Sequence, residues 1–577
     1  MTMRWCALGR NADGRITAFT LDASGNSGDP ISMERSELAD FVRGIEEEHA
    51  PRWVWSDTTR WVPQLLANGV RITRCHDLRL SHAILLRSEL VPNRGELAAA
   101  AAWDVGPEEP DPEPKATALF ELESTRATAV PGDIEETLAE FARQRAALAA
   151  SPRQLSLLIA AESAGAVMAA EMRAAGLPWD TVEHDRILRE ALGPRPPAGA
   201  RTAIMAGLAD EIGMALGQPG VSVDSPPKLL RALRDAGLEV QSTSQWELAD
   251  IAHPVIAPLL HYKKLARLLT ANGWNWIDEW VRDGRYHPVY VPGGVVTGRW
   301  ASSGGGALQL PRMLRPVLRA DPGWTLVSAD VAQLEPRVLA AMSGDRAMAA
   351  AGAGTDLYAG LVSSGVVATR QEAKIAVLGA MYGSTTGDSG RLVPRLRRSF
   401  PAAMRLVDQA AAAGERGGVV STWLGRSSPA PSDEWLEQQA LASQPGATPR
   451  DEREARRVAR DFGRFTRNFV VQGTAAEWAL SWLANLRLRL DELPAAWAGQ
   501  DPRAAPIAQA SGPAFERRPH LAFFLHDEVI VHTPIELADQ VAAAVTAAAA
   551  SAGTLLFGDG PVDFPLDVRI SERAEKG

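Results

Sequence analysis

The sequence predicts a multidomain chain of mixed α/β and α+β class. Three observations carry this. The 577 residues exceed what one core organises, at roughly 100–200 residues per domain. Strand-like and helix-like runs are mixed through the first 92 residues, whereas residues 133–290 are nearly all helical in pattern. From residue 291 onward, polar motifs sit inside or beside apolar runs of strand length, the arrangement of a site built on a sheet.

Taken in order, residues 1–92 set the strand-like runs RITAFTLD, RWVWS and GVRITR beside the helical run RSELADFVRGIEEE, a small α/β domain. The stretch Asp104–Ala116 is rich in Pro and acid and reads as a loop or linker. Residues 133–175 are helical and rich in alanine. Residues 176–290 are mostly helix, and Ser225 before a Pro pair is placed as a helix N-cap. Two polar inserts with Pro and Gly, 427–450 and 497–519, read as surface loops. No fixed-period repeat is present.

Composition narrows the function classes. Apolar residues make up 46% and charged residues 23%, ordinary for a globular chain. No apolar run approaches the roughly 20 residues that span a bilayer, and MTMRWCALGR lacks the apolar core of a secretory signal. Two cysteines, Cys6 and Cys75, make neither a disulfide framework nor a metal cluster. A cytoplasmic protein with no membrane partner is expected. The net charge of −10 argues weakly against nucleic acid, although a whole-chain sum hides local patches. Of the 60 basic residues only six are lysines, an excess of arginine that a GC-rich coding sequence accounts for; it makes Lys374 conspicuous.

Three segments carry chemistry. WTLVSA is an apolar strand ending at Asp330, before a helical pattern with Glu335 and Arg337 polar. Asp330 is either a helix N-cap or a metal ligand at a strand end. In RQEAKIAVLGAMYG, residues Arg370, Lys374 and Leu378 recur every four positions and share one helix side, with Tyr382 a turn later and Gly383 placed to end the helix. Two cations one turn apart repel by a few tenths of a kcal/mol in water; they make a solvated basic face or a site for a polyanion such as a triphosphate. In FFLHDEVIVHT, His526, Asp527 and Glu528 interrupt an apolar strand pattern. Buried carboxylates require a partner. Strict alternation would put Asp527 and Glu528 on opposite faces, so a tight turn is required there.

In this order and spacing the segments resemble family A DNA polymerases, the group of bacterial DNA polymerase I, over roughly residues 160–577. The matching positions are Asp330, Gln333, Glu335 and Arg337 after the first strand, then Arg370, Lys374 and Tyr382-Gly383 on a helix, and the hairpin triplet His526-Asp527-Glu528. TGRWASSGGGALQ adds Thr297, Gly298, Arg299 and Gln309, and RFTRNFVVQGTAA adds Arg464, Asn468 and Gln472.

The resemblance implies a right-hand polymerase with palm, fingers and thumb, preceded by a ribonuclease H-like exonuclease-type domain. It divides the chain into a degenerate 3′–5′ exonuclease-like domain and linker (1–150), thumb and start of palm (151–300), palm with the first metal motif (301–345), fingers (346–425) and palm completion (426–577). It implies two Mg²⁺ ions held by Asp330 and Asp527, with Mn²⁺ a possible substitute, as in two-metal sites with ions about 3.5–4 Å apart. Glu528 becomes an accessory near the primer end. Lys374 and Arg370 contact the triphosphate, and Tyr382 stacks near the nascent pair. Arg299, Gln472 and His526 face the primer–template minor groove, where correct pairs present nearly the same acceptors. Gln333, Gln309, Arg464 and Asn468 also fall on the substrate side.

The resemblance makes Glu335 a steric gate against the ribose 2′-OH. The implied partners are primer–template DNA and deoxynucleoside triphosphates, for a monomer in the nucleoid. The alternatives are a single-subunit RNA polymerase and a non-catalytic primer–template binder.

The chain departs from the family pattern at Leu378, Val331-Ala332, Leu310, Phe524 and Glu477, none of them an implied metal ligand. The N-terminal part departs further. RITAFTLDASG lacks an Asp-x-Glu, Trp61 stands near an expected acid, and no Tyr-x₃-Asp follows residue 92. An exonuclease-like fold without exonuclease activity is expected.

Overall fold

A computed structural model of the chain describes residues 3–106, 130–197, 199–249, 251–354, 356–383, 387–493 and 506–574. Most of the expected 104–116 linker and the first part of the 497–519 insert lie outside the described residues. The chain forms two compact units. One comprises Met1–Gly176, Val289–Ser303 and Pro322–Ile570; the other comprises Leu177–Pro288, Gly304–Asp321 and Ser571–Gly577.

The first unit begins with a five-stranded sheet: β1 (Trp5–Arg10), β2 (Ile16–Leu21), β3 (Ile31–Met33), β4 (Arg52–Trp55) and β5 (Arg74–Asp77). Its order is β3-β2-β1-β4-β5. β1, β2 and β3 pair antiparallel, and β4 and β5 are parallel to β1. Alternate side chains serve opposite faces. Cys6, Leu8, Trp53 and Trp55 enter one core, while Ala7, Val54 and Phe141 enter the other. The central strand β1 was not among the runs read as strands, and GVRITR becomes strand only at its last residue.

Helices α1 (Thr58–Ala67), α2 (Leu78–Arg87), α3 (Ile134–Ala149) and α4 (Arg153–Ala175) follow. α1, α2 and α3 open on aspartates, Asp57, Asp77 and Asp133, whose side chains accept from the backbone N–H of Thr59, Leu80 and Glu136. Such caps satisfy N–H groups the helix cannot pair.

The same unit holds a four-stranded sheet of β6 (Trp324–Val331), β7 (His520–Leu525), β8 (Glu528–Pro534) and β9 (Leu566–Ser571), in the order β7-β8-β6-β9. Against it lie the 43-residue α9 (Pro449–Asp491) and α10 (Ala538–Phe557), and α5 (Leu334–Ser343) packs on α9. α6 (Arg370–Tyr382), α7 (Pro401–Glu415) and α8 (Asp433–Ala442) complete the unit's main helices. The insert 427–450 is therefore not all loop. Ser432 caps α8, whose only buried side chain is Trp435.

Two helical segments, Arg153–Ala175 and Ile535–Phe557, are long and apolar enough to cross a membrane, contrary to the sequence reading. Both are rich in alanine. α4 is mostly buried inside its unit, and α10 packs Val541, Val545 and Leu556 inward.

A buried ion network fixes α9 to the N-terminal sheet. Arg487 donates to both oxygens of Glu171 on α4 at 2.7 and 2.8 Å and to the carbonyls of Thr73 and Ile72. Arg71 adds a bond to Glu171 at 3.0 Å. Burial alone would raise the Glu171 carboxyl, but Arg487 and Arg71 pull it down to about 2.

The second unit is mainly helical. Its small sheet pairs Arg285–Tyr286 with Leu177–Pro178 and with Val281–Arg282. Trp179, Trp276, Tyr286 and His184 form one aromatic cluster. Burial pushes His184 down to about 4, while its Nε2 pairs with the Asn272 carbonyl at 2.9 Å. Ser225 does occupy an N-cap position, but its side chain makes no cap hydrogen bond.

Candidate active site

β6 and β8 pair antiparallel, with Asp330 directly opposite Glu528. The Val331 N–H donates to the Asp527 carbonyl at 2.9 Å. The backbones of Asp330 and Asp527, far apart in sequence, are thus neighbours across the ladder. The turn that alternation demanded is present: β7 and β8 pair Leu525 with Glu528, leaving His526 and Asp527 as a two-residue loop. His526 stands at φ +58°, the positive φ that tight hairpins favour at the first loop residue. Glu528 is buried, whereas Asp330 and Asp527 are half-buried.

Asp330 is not a helix cap. It lies within β6, and the N-cap of α5 is Gln333, at φ +50°. The Gln333 side-chain oxygen accepts from the Leu357 N–H at 3.1 Å. Arg337 is fully buried and braces the following loops through the carbonyls of Ala332, Gly352, Gly354 and Asp563.

Glu335 is held at both oxygens. Arg299 bonds one, and the Tyr382 hydroxyl donates to the other at 2.8 Å. Burial and Glu335 push the Tyr382 phenol up to about 12. His526 also feels this group: partial desolvation and Arg299 push its imidazole below the usual range, against the pull of Glu335. Four of the residues singled out in the sequence thus share one electrostatic neighbourhood.

α6 spans Arg370–Tyr382, capped by Thr369 and ended by Gly383 at φ +70°. Arg370 and Lys374 are both exposed. Arg370 pairs with Asp356 at 2.7 Å and lies over the Tyr358 ring. Asp356 carries no signal in the sequence, lying 14 residues upstream on another element.

Arg464, Asn468 and Gln472 follow one another at four-residue spacing on α9. Arg464 bonds Asp461, and the Asn468 Oδ1 is buried without a hydrogen-bond partner among the described residues. Gln309 falls in the short turn Ala307–Gln309 of the second unit, its side chain outside the described residues.

Two departures from the family pattern have packing reasons. Phe524 is buried against Trp300, and the Tyr290 hydroxyl bonds both its N–H and its carbonyl. Glu477 accepts from the Thr422 hydroxyl and the Leu424 N–H. Burial pushes its carboxyl up to about 7, these bonds opposing.

Among the described residues no group of three or more His, Cys, Asp or Glu side chains is poised to hold a metal. Asp330 and Asp527 offer a two-carboxylate oxygen set without sulfur or imidazole. That fits Mg²⁺, which uses one or two carboxylates and completes its shell with water and substrate phosphates.

The family model for DNA polymerase family A matches residues 205–573. DNA polymerase I of Chloroflexus aurantiacus is 32% identical over 237 residues, 36% of this chain and 25% of that protein. The thermostable DNA polymerase I of Thermus aquaticus is 26% identical over 365 residues, 58% of this chain and 38% of its own. The chain thus spans about a quarter to two-fifths of the length of these relatives. Among solved structures, the Pol1 polymerase domain of M. smegmatis, in complex with DNA primer-template and dNTP, superposes with a TM-score of 0.66 at 16% identity. That match covers 99% of this chain and 95% of that domain, and it shares the fold. The fold is thus that of a family A polymerase domain. The chain belongs to DNA polymerase family A.

Proposed function

We propose that the chain is a template-directed DNA polymerase, adding deoxynucleotides to a primer 3′-OH on primer–template DNA as a cytoplasmic, nucleoid-associated monomer. The reading is carried by the cross-strand adjacency of Asp330 and Asp527. In this reading the β6–β9 sheet is the palm, residues 346–425 the fingers, and residues 151–300 the thumb and start of palm.

We assign the divalent ions that family A polymerases use to Asp330 and Asp527, and the ion to Mg²⁺, two per site. Bound there, the ions would make the 3′-OH a better nucleophile and neutralise charge on the phosphates. Lys374 and Arg370 bind the triphosphate as cations, and Lys374 is the proton donor to the departing pyrophosphate. Arg370 first has to leave Asp356. Tyr382 faces the nascent pair, and Arg299, Gln472 and His526 the minor groove. Glu528, buried at the ladder, supports the primer end. Gln333, Arg464 and Asn468 complete the substrate contacts within the first unit, and Gln309 is kept as a substrate residue on the family resemblance alone. Primer extension with dNTPs and Mg²⁺ tests the assignment; DNA binding without extension in Mg²⁺ or Mn²⁺ refutes it.

Glu335 decides between deoxyribo- and ribonucleotides. Held by Arg299 and Tyr382, it cannot easily swing aside for a 2′-OH. Glu335→Ala is expected to raise the ribo-to-deoxyribonucleotide efficiency ratio about 10–200-fold, the range for one added group in a fitted pocket. Single-nucleotide incorporation kinetics measure it, and an unchanged ratio would place sugar selection elsewhere.

We read the β1–β5 sheet as a ribonuclease H-like exonuclease domain without activity. β1 carries no carboxylate. Asp57 and Asp77, at the ends of β4 and β5, are engaged as helix caps, and Arg79 also binds Asp57. Glu140 is committed to His82, Arg143 and Gln144. A mismatched 3′ end is therefore expected to persist when incubated with the protein and Mg²⁺ without nucleotides. Degradation that co-purifies with the protein and survives Asp527→Asn would overturn this.

A further inference from the structure

A second basic site lies on the N-terminal sheet, within the first unit. A cleft of about 810 Å³ opens where β1, β4 and β5 begin, closed on its far side by the end of α3 and the first turns of α4. Arg4, Arg52, Arg74 and Arg145 line it, and no Asp or Glu does.

Each of three arginines spends one N–H on a backbone carbonyl: Arg52 on Cys75, Arg74 on Ala50 and Arg145 on Ala23. None of the four has a carboxylate partner among the described residues. Elsewhere many arginines pair with acids, as Arg71, Arg79 and Arg487 do, and the chain as a whole is acidic, with a net charge of −10. Burial, together with neighbouring Arg74 and Arg4, pushes the Arg52 guanidinium below its usual range, Cys75 opposing.

Arg4 and Arg52 both lie over the ring of Trp5, at 5.7 and 5.8 Å, so two of the cations are held close together. His49, also on the rim, pairs with the neighbouring Glu48 at 3.4 Å. His76 at the floor is kept neutral: burial pushes it down to about 4, and its Nε2 bonds Gln144 at 2.7 Å.

We propose that this cleft binds a small molecule carrying two or three linked phosphates, such as a nucleoside polyphosphate or an inorganic polyphosphate. Four guanidiniums without counter-ions match the charge of such a chain. Guanidinium forks suit phosphate oxygens. The volume lies within the roughly 300–1,000 Å³ of small-molecule sites, and the α3–α4 corner closes the path a strand would follow. The cleft lies at the starts of the parallel strands, away from Asp57 and Asp77 at their ends, so it is separate from the position of an exonuclease centre.

The test uses the full chain carrying Arg370→Ala and Lys374→Ala, which removes the proposed triphosphate contacts of the polymerase site, in buffer with EDTA. Isothermal titration with inorganic tripolyphosphate and with dATP is expected to show saturable binding. Tighter binding of dATP identifies a nucleotide, and equal or weaker binding a polyphosphate. Arg4→Gln with Arg74→Gln, both exposed, is expected to weaken binding about tenfold per arginine while leaving the melting temperature and, in an otherwise wild-type chain, primer extension unchanged. Binding of neither ligand, binding indifferent to the arginines, or arginine-dependent binding of a single-stranded oligonucleotide alone would overturn the proposal.

Discussion

Asp527→Asn is expected to lower single-turnover primer extension by at least about 10³-fold, some 4 kcal/mol of transition-state stabilisation, and Asp330→Asn to do the same. The substitution keeps size and hydrogen-bonding capacity, so the two-residue turn and the β6–β8 register should survive. What is lost is charge. A neutral amide does not hold a hard divalent cation against water, and the remaining carboxylate alone cannot organise a pair of ions. Primer–template affinity should stay within about threefold of the parent or tighten, since removing an anion from a DNA-facing surface cannot weaken phosphate contacts electrostatically. The two measurements together discriminate. Extension lost with binding kept is the signature of a chemical role. Loss of both would mean that the hairpin had collapsed, and retention of extension at the parent rate would remove the aspartates from the reaction.

Glu171→Gln is expected to cost about 3–5 kcal/mol of stability, the range for removing one partner of a buried ion pair. Arg487 is buried, so the variant strands its cation away from bulk water, while Arg71 keeps Asp491 as a partner. Replacing Glu171 by Leu and Arg487 by Met together should restore much of the loss, because an apolar pair avoids the desolvation that the ions suffer. Denaturant midpoints for the singles and the double close that cycle; a single-variant loss below about 1 kcal/mol would show the network to be dispensable.

The same residue sets an acid limit. The Glu171 carboxyl is held at about 2 against an ordinary 4.5. A depressed carboxyl stabilises fully above its unfolded pKa, and the contribution fades as pH falls from about 4.5 toward 2. The parent should therefore lose stability across that window more steeply than the Glu171→Leu/Arg487→Met double variant.

Local chemistry was the legible part of this chain. The α6 helix, its closing glycine, the strand into Asp330 and the forced turn at His526-Asp527 all follow from spacing and alternation within a dozen residues. The register that sets Asp330 opposite Glu528 does not. Nothing in either segment specifies which strand it joins, and only the family resemblance implied their meeting. The ties on Glu335 and Arg370 were illegible for the same reason: Arg299 and Asp356 are reached through tertiary folding. Glu171 and Arg487 stand 316 positions apart, and nothing local marks either as the other's partner.

Other misreadings have simple causes. The 427–450 insert looked like loop because Pro and Gly crowd its flanks, yet Ser432 followed by Asp433 and Glu434 is a sound helix start. The membrane-length helices escaped notice because alanine supplies their hydropathy without the bulk that marks a greasy segment. β1 was overlooked because WCALGR is short and its alternation serves two cores at once.

In the proposed reaction Asp356 acts as a placeholder for Arg370. The pair is solvent-exposed on the arginine side, and such pairs contribute only about 0–1 kcal/mol, so an arriving anion can displace the carboxylate with little penalty. Meanwhile the guanidinium is kept aimed and its long side chain is spared a wide rotamer search. In the proposed reaction nucleotide capture is thus a swap of counter-ions at residue 370 and a fresh attraction only at Lys374. Added salt should then weaken nucleotide uptake as though a single cation, not two, were waiting for it.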